Sequence, residues 1–260
     1  MRTPSLLLSV ALFLLPASAL AQSTPARDLH LAMGGSLAWD VGYVAVGGGL
    51  ALAGLFASPP TIDRAPFDGL GGRVWRPEVG LVSDVVLWGG LAATVGLGVV
   101  VERWGLGSRG LTLLRAPLVL AESTVMTIGL VSSLKVIVGE CRPRAWSDAE
   151  GRCATSERED RVSFPSGHTA SLAAMAGASL GMMLLPSGGR RAYGPILVAS
   201  GALAVTNLVL RVVAGAHNWV DTSVGLVLGL GVGFGTAAAH VYEGPRLVVS
   251  AQGVGVAGTF

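Results

Sequence analysis

Mostly apolar stretches of about twenty residues alternate with short polar segments along almost the whole chain. A membrane-spanning α-helix needs ~20 predominantly apolar residues, so each stretch is long enough to cross a bilayer. The pattern therefore predicts an all-α, polytopic helical membrane protein with about six transmembrane helices. The predicted spans cover approximately residues 36–57, 83–101, 113–138, 166–186, 193–213 and 219–241.

The two ends of the chain differ from this central region. Residues 1–21 have the features of a secretory signal peptide, with Arg2 at the charged start and a small-residue cleavage site at Ala19-Leu20-Ala21. An uncleaved first helix is the alternative. Residues 22–243 then form one predicted helical membrane domain. The tail, residues 244–260, alternates weakly and ends in Phe, like the last strand of an outer-membrane barrel, but the helical spans argue against a barrel.

The composition also supports a membrane protein, and it singles out one lysine. Hydrophobic residues make up 51% of the chain and charged residues only 13%, whereas soluble domains carry about 25% charged residues. The net charge of +2 gives no reason to expect a nucleic-acid partner. Lys135 is the single lysine beside 17 arginines, which suggests that this position needs a compact ammonium group.

The last two spans are predicted to form an antiparallel hairpin, because the turn between them, residues 214–218, is very short. The sixth span carries Gly225, Gly229 and Gly233 at intervals of four residues. Residues spaced in this way share one face of a helix, and small residues allow neighbouring membrane helices to approach closely. We interpret this face as a packing surface rather than a site.

Polar residues gather where spans meet loops, and the first cluster is Lys135 and Arg142. They lie seven residues apart, or two helical turns, and would share one face if the third helix continued that far. Gly139 and Pro143 make such a continuation doubtful. Two cations at a membrane edge also fit side chains that simply extend toward lipid headgroups.

The second cluster, Ser166-Gly167-His168, opens the fourth span. A helix start presents free backbone N–H groups and the positive end of the helix dipole, so it binds phosphate readily. Gly167 would let the backbone approach the anion, Ser166 would add a donor, and His168 could deliver a proton. A plain Ser N-cap beside an interfacial histidine explains the cluster equally well.

The third cluster contains Arg211, His217 and Asp221. His217 and Asp221 are separated by four residues and therefore are neighbours on one helix face. A carboxylate on one imidazole nitrogen fixes the tautomer and leaves the other nitrogen as a nucleophile or base. Taken alone, a structural His–Asp pair remains an alternative.

The order and spacing of the three clusters, K-x6-R-P, P-S-G-H and R-x5-H-x3-D, resemble the signature of the type 2 phosphatidic-acid phosphatase superfamily. One departure is visible, since Leu210 stands where the family usually has Ser. The resemblance implies a metal-independent phosphatase for lipid phosphate monoesters or pyrophosphates, with its site at one membrane face. It implies that His217 attacks phosphorus, Asp221 orients it and His168 protonates the leaving oxygen. The implied phosphate-binding residues are Lys135, Arg142, Ser166, Gly167 and Arg211.

We expect no metal and no other cofactor, because the motif loops contain no metal-binding constellation rich in Asp and Glu. The expected partners are a lipid phosphate substrate and the bilayer itself. A vanadium haloperoxidase has a similar site but is generally soluble, and the apolar spans also count against a secreted acid phosphatase. A transporter or channel is the other alternative, because Arg115, Glu122 and Asn207 lie within spans. Transporter sites lie near mid-bilayer, whereas the clusters lie at span ends.

Cys141 and Cys153 are the only cysteines, and both lie in the polar loop before the fourth span. We predict that they form a disulfide, with two free thiols as the alternative. A disulfide requires an oxidising compartment, and the usual family topology also places this loop in the periplasm. Counting crossings, with a cleaved or an uncleaved N terminus, places it in the cytoplasm instead. We favour the periplasmic face of a multi-pass inner-membrane protein.

Overall fold

Six α-helices form most of the described chain in a computed structural model. It describes residues 29–33, 37–59, 74–147, 149–155, 157–186 and 190–241, together with the backbone of 246–250 and 253–257. The predicted signal peptide lies outside these residues. The helices are α1 (Leu37–Phe56), α2 (Pro77–Val100), α3 (Arg115–Val138), α4 (Gly167–Leu184), α5 (Gly194–Val213) and α6 (Trp219–Val241).

The helices confirm the predicted all-α, polytopic membrane architecture. Within the described residues, five helical segments are long and apolar enough to cross a membrane: 37–56, 77–105, 110–138, 191–213 and 219–241. The exception, α4, begins with polar residues and consists largely of small ones, most of which are buried inside the bundle. It packs against α2, α3, α5 and α6.

Short helical turns and strands connect the long helices. The turns comprise a π-helix at Val101–Gly105 and 3₁₀ helices at Gly110–Leu114, Pro143–Ala145, Arg158–Arg161 and Arg191–Tyr193. Strands β1 (Trp146–Ser147) and β2 (Arg152–Cys153) form one antiparallel pair, and β3 (Arg246–Ser250) and β4 (Gly253–Ala257) form another. The C-terminal tail, whose sequence alternates weakly between apolar and other residues, therefore contains a β-hairpin.

The glycine face of α6 packs directly on the backbone of α4. A Cβ atom added at Gly225, Gly229 or Gly233 would lie 2.6, 2.1 or 1.8 Å from a carbonyl oxygen of α4 or of the residue preceding it. Real Cβ atoms do not approach that closely, so these positions admit only glycine in this packing. The interpretation of the face as a packing surface agrees with this geometry.

The start of α2 differs from its prediction, whereas the end of α3 agrees with it. α2 begins at Pro77 rather than near Ser83, because Pro is favoured at the first helical position and Glu78 in the first turn suits the positive end of the helix dipole. α3 ends at Val138, where Gly139 adopts a left-handed conformation with φ of 62°. Arg142 therefore lies in the loop, and it does not share a helix face with Lys135.

The loop between α3 and α4 is cross-linked and lies over the bundle end. A disulfide joins Cys141 to Cys153, with their Cα atoms 5.8 Å apart. At the other end of the bundle, the N–H of His30 donates to the carbonyl oxygen of His240 at 3.2 Å. The segment before α1 and the last turn of α6 thus lie together, opposite the loop.

Candidate active site

A buried histidine and aspartate sit where α6 begins. His217 donates from Nδ1 to Asp221 Oδ2 at 3.1 Å, and both side chains are almost completely inaccessible to solvent. Asn218 and Asp221 cap the helix reciprocally: Asn218 Oδ1 accepts the N–H of Asp221 at 2.7 Å, and Asp221 Oδ2 accepts the N–H of Asn218 at 3.3 Å. Helix capping therefore fixes the carboxylate that orients the imidazole.

A hydroxyl that sequence reasoning missed completes this pair. Ser163 donates from Oγ to Asp221 Oδ2 at 2.5 Å, and the same Oγ lies 3.3 Å from His217 Nδ1. With Nδ1–H directed at the carboxylate, the other ring nitrogen of His217 carries the lone pair. The pair thus presents a fixed, unprotonated nitrogen.

The electrostatic surroundings keep this imidazole neutral. Burial lowers the pKa of the His217 imidazole well below its ordinary value. The nearby positive charges of Arg142, Lys135 and Arg211 lower that pKa further. A neutral imidazole keeps its lone pair available for nucleophilic attack.

Lys135, in the last turn of α3, reaches the loop that precedes α4. Its Nζ donates to the carbonyl oxygens of Val162 at 2.7 Å and Ser163 at 2.9 Å. The N–H of Ser166 donates to the carbonyl oxygen of Asp221 at 3.0 Å, which ties the start of α4 to the start of α6. These contacts bring the first two predicted clusters against the third.

The packing around Gly167 would tolerate a larger side chain beside this ammonium group. A Cβ atom added there would meet only Val131 Cγ1 at 3.5 Å and Lys135 Cε at 3.9 Å, which are ordinary contacts. Packing within the protein therefore does not require glycine at this position. The Ser166 hydroxyl pairs with Thr169 Oγ1 at 3.2 Å and does not cap the helix. The start of α4 therefore has no side-chain cap on its backbone N–H groups.

Arg142 is held by the loop and by the α5–α6 turn. Its Nε donates to the carbonyl oxygen of Glu159 at 2.8 Å, and its Nη1 donates to that of Ala216, the neighbour of His217, at 3.2 Å. Burial, and then the nearby Arg144 guanidinium, lower the pKa of Arg142 from its ordinary value. Because these surroundings disfavour the charged form of Arg142, an anion bound beside it would stabilise that form.

Arg211 and His168 meet on a carboxylate of α2 that sequence reasoning missed. His168 Nε2 lies 2.7 Å from Asp84 Oδ1, and Arg211 Nη1 lies 3.4 Å from the same oxygen. Arg211 also donates to the Ser83 hydroxyl at 3.1 Å. Ser83 therefore supplies a hydroxyl contact to this arginine, in a chain that has Leu210 where Ser was expected.

Arg142, Arg211 and His168 line a cavity of about 470 Å³ at the end of the bundle. Two tryptophans stand at its sides, and the Arg144 guanidinium lies 4.1 Å from the centre of the Trp75 ring. His217, which is buried, does not line this cavity, and neither do the other predicted site residues Lys135, Ser166, Gly167 and Asp221. The lining residues are Trp75, Asp84, Trp88, Arg142, Arg144, Glu159, His168 and Arg211.

All eight predicted site residues are thus linked by direct contacts or by a shared neighbour. Sequence reasoning missed Ser163, Asp84, Ser83 and Arg144. Asp84 carried a usable signal, because an ionisable residue inside an apolar span is a functional candidate by default. The other three residues had no such signal.

A family model described as the PAP2 superfamily matches residues 116–245, which is half of the chain. The match contains every predicted site residue from Lys135 to Asp221, whereas Asp84 lies outside it. Comparison with curated proteins and with solved structures gives no match.

Proposed function

The chain belongs to the PAP2 superfamily, and from this premise we propose that it hydrolyses a lipid phosphate monoester or a lipid pyrophosphate through a phosphohistidine. Members of the superfamily are phosphatases, so the reaction class follows from the family. The lipid substrate, the covalent intermediate and the absence of a catalytic metal are the parts that we add.

The observation that carries the proposal is the buried His217–Asp221 pair among fixed cations. His217 has a neutral imidazole whose Nδ1–H is directed at Asp221, 3.1 Å away. Lys135, Arg142 and Arg211 supply three positive charges around it. Phosphoryl transfer depends mainly on positioning and on neutralising charge at the phosphate oxygens. Three cations fixed by the fold perform the role that metal ions have in other phosphatases.

The reaction then has two displacement steps. In the first, the lone pair of His217 Nε2 forms a bond to phosphorus, and the bond between phosphorus and the leaving oxygen breaks. His168 donates a proton to that oxygen, so the leaving group departs as an alcohol from a monoester or as a protonated phosphate from a pyrophosphate. In the second, His168 accepts a proton from water, whose oxygen attacks phosphorus and releases His217 and inorganic phosphate.

The position of the site supports a lipid substrate. The cavity opens at the end of a bundle whose helices are long and apolar enough to cross a membrane. Trp88 and Trp75 flank it and are largely exposed, and tryptophan is enriched where membrane proteins meet the headgroup layer. A headgroup could enter the cavity while its acyl or isoprenoid tail remains in the bilayer.

The test uses purified protein in detergent with a panel of lipid phosphates and pyrophosphates, in the presence of EDTA. We expect phosphate release from at least one lipid, inhibition by vanadate, and an acid-labile, alkali-stable phosphoenzyme after quenching. His217→Ala should trap no phosphate, whereas the matched His168→Ala protein should still trap it, although slowly.

Three results would contradict the proposal. One is labelled phosphate trapped on His217→Ala. Another is activity that disappears in EDTA and returns with Mg²⁺. The third is vanadate-dependent halide oxidation without phosphate release, which would favour a haloperoxidase instead.

A further inference from the structure

A second cluster of ionisable residues lies at the opposite end of the bundle. Asp40 in the first turn of α1, Glu122 in α3 and His240 in the last turn of α6 converge there, and each is at least 96% buried. One ligand atom from each residue lies within 4.8 Å of the others. The proposed reaction uses none of these three side chains.

The histidine of this cluster is oriented toward the two carboxylates. His240 Nδ1 donates to the carbonyl oxygen of His30 at 3.2 Å, and its Nε2 lies 2.7 Å from Glu122 Oε2, so a proton or a metal ion must lie between these two atoms. Metal-binding histidines commonly donate their second N–H to a backbone carbonyl in this way. On the far side, Asp40 Oδ1 accepts the N–H of Met33.

One oxygen of each carboxylate remains without a partner. Asp40 Oδ2 and Glu122 Oε1 are buried and have no hydrogen bond within the part of the chain that the structure describes. Leaving a buried carboxylate oxygen unpaired is energetically costly. Glu102, a buried carboxylate of the same bundle end, differs in this respect: its two oxygens accept from Ser108 at 2.6 Å and Tyr193 at 2.8 Å.

We propose that Asp40, Glu122 and His240 bind a divalent transition-metal ion of the Zn²⁺ class. One imidazole nitrogen and two carboxylates form a mixed nitrogen and oxygen donor set, which suits Zn²⁺ better than Mg²⁺ or Ca²⁺ because those ions prefer oxygen ligands alone. A double positive charge also balances two buried carboxylates, and their unpaired oxygens become ligands.

Such an ion would be structural and separate from the catalytic site. It would cross-link α1, α3 and α6, and through His30 and Met33 it would also hold the segment that precedes α1. Along α3, Lys135 lies 13 positions after Glu122, which corresponds to about 20 Å at 1.5 Å per residue. The ion therefore takes no part in phosphoryl transfer, and its removal should lower stability rather than turnover.

The experiment measures metal content on detergent-purified protein from which any affinity tag has been cleaved. The protein is dialysed against a chelator, then against Zn²⁺, and desalted before elemental analysis. We expect about one zinc per chain, and a thermal unfolding midpoint that falls on chelation and recovers with Zn²⁺. Phosphatase activity at 25 °C should be unchanged by the same chelation.

Matched variants distinguish ligands from ordinary buried carboxylates. Glu122→Gln and Asp40→Asn should each lower zinc content by at least about tenfold, whereas Glu102→Gln should retain it. Two results would overturn the proposal: wild-type protein with no zinc above background after dialysis, which would indicate a proton shared between Glu122 and His240, or equal zinc in wild type and Glu122→Gln. Because chelation and reconstitution use the wild-type chain, an unstable variant does not prevent a decision.

Discussion

Replacing Asp221 by Asn tests the most buried part of the site, because the substitution removes a charge and almost nothing else. Asp221 Oδ2 accepts hydrogen bonds from His217 Nδ1, Ser163 Oγ and the N–H of Asn218. An amide oxygen in the same place can accept the same three hydrogen bonds. The hydrogen bonds that cap α6 are therefore retained, and the substitution removes the negative charge beside the imidazole.

The size of the effect follows from the charge that develops during the reaction. The imidazole of His217 becomes cationic as its bond to phosphorus forms, and the carboxylate oxygen lies 3.1 Å from Nδ1. Two unit charges about 4 Å apart interact by about 4 kcal/mol at an effective dielectric constant of 20. The amide dipole retains part of this stabilisation, so we expect a net loss of about 2–3 kcal/mol, or roughly a hundredfold in kcat.

The assay is single-turnover formation of the phosphoenzyme, together with steady-state release of p-nitrophenol from p-nitrophenyl phosphate. Asp84→Asn is the matched control, because Asp84 pairs with the other histidine but its side chain is 50% exposed. Solvent screens an exposed carboxylate, so this variant should lose less than about tenfold. A loss below about threefold for Asp221→Asn, or a larger loss for Asp84→Asn, would refute the reasoning.

Three further predictions concern the acid, the pH profile and the loop. His168→Ala should reduce kcat/KM for alkyl phosphates by about a hundredfold more than for p-nitrophenyl phosphate, whose leaving group needs little protonation; equal losses would contradict its role as the acid. Because the fold lowers the pKa of His217, the acid limb of kcat/KM should lie below the ordinary histidine value of about 6.5, and a limb at or above that pH would contradict a neutral nucleophile. Removing the Cys141–Cys153 disulfide with Cys141→Ser should lower the free energy of unfolding by about 3 kcal/mol, measured by denaturant titration. Two reactive thiols in unreduced, denatured wild-type protein would contradict the disulfide itself.

Local patterns in the sequence were sufficient for much of the architecture. Apolar stretches predicted the six helices, since burial in a bilayer requires long runs without charge. The four-residue spacing of Gly225, Gly229 and Gly233 predicted a close helix contact, and α4 occupies that contact. The His217–Asp221 pair could also be predicted, because residues four apart on a helix are neighbours whatever the rest of the fold does.

Contacts between distant segments could not be predicted in the same way. Asp84 lies 84 residues from its partner His168, and Ser163 lies 58 residues from Asp221. No periodicity relates such positions, since their approach depends on how whole helices pack. The partner of His168 therefore could not be identified from the sequence, because the packing of α2 provides it. The start of α2 was mispredicted for another reason, because Pro77 and Glu78 in its first turn interrupt the apolar pattern.

The backbone contact between α4 and α6 has a consequence for the gene as well as for the fold. Every glycine codon becomes an alanine codon by a single nucleotide change, and alanine is elsewhere the mildest replacement. At Gly229 and Gly233 the added methyl carbon would lie 2.1 and 1.8 Å from carbonyl oxygens of Ala170 and Ala174, so even this change must separate the helices. Because His168 begins α4 and His217 directly precedes α6, such a separation moves the two histidines apart. A single-nucleotide change from glycine to alanine along this stripe is therefore expected to disturb the arrangement of the two histidines as well as the helix contact.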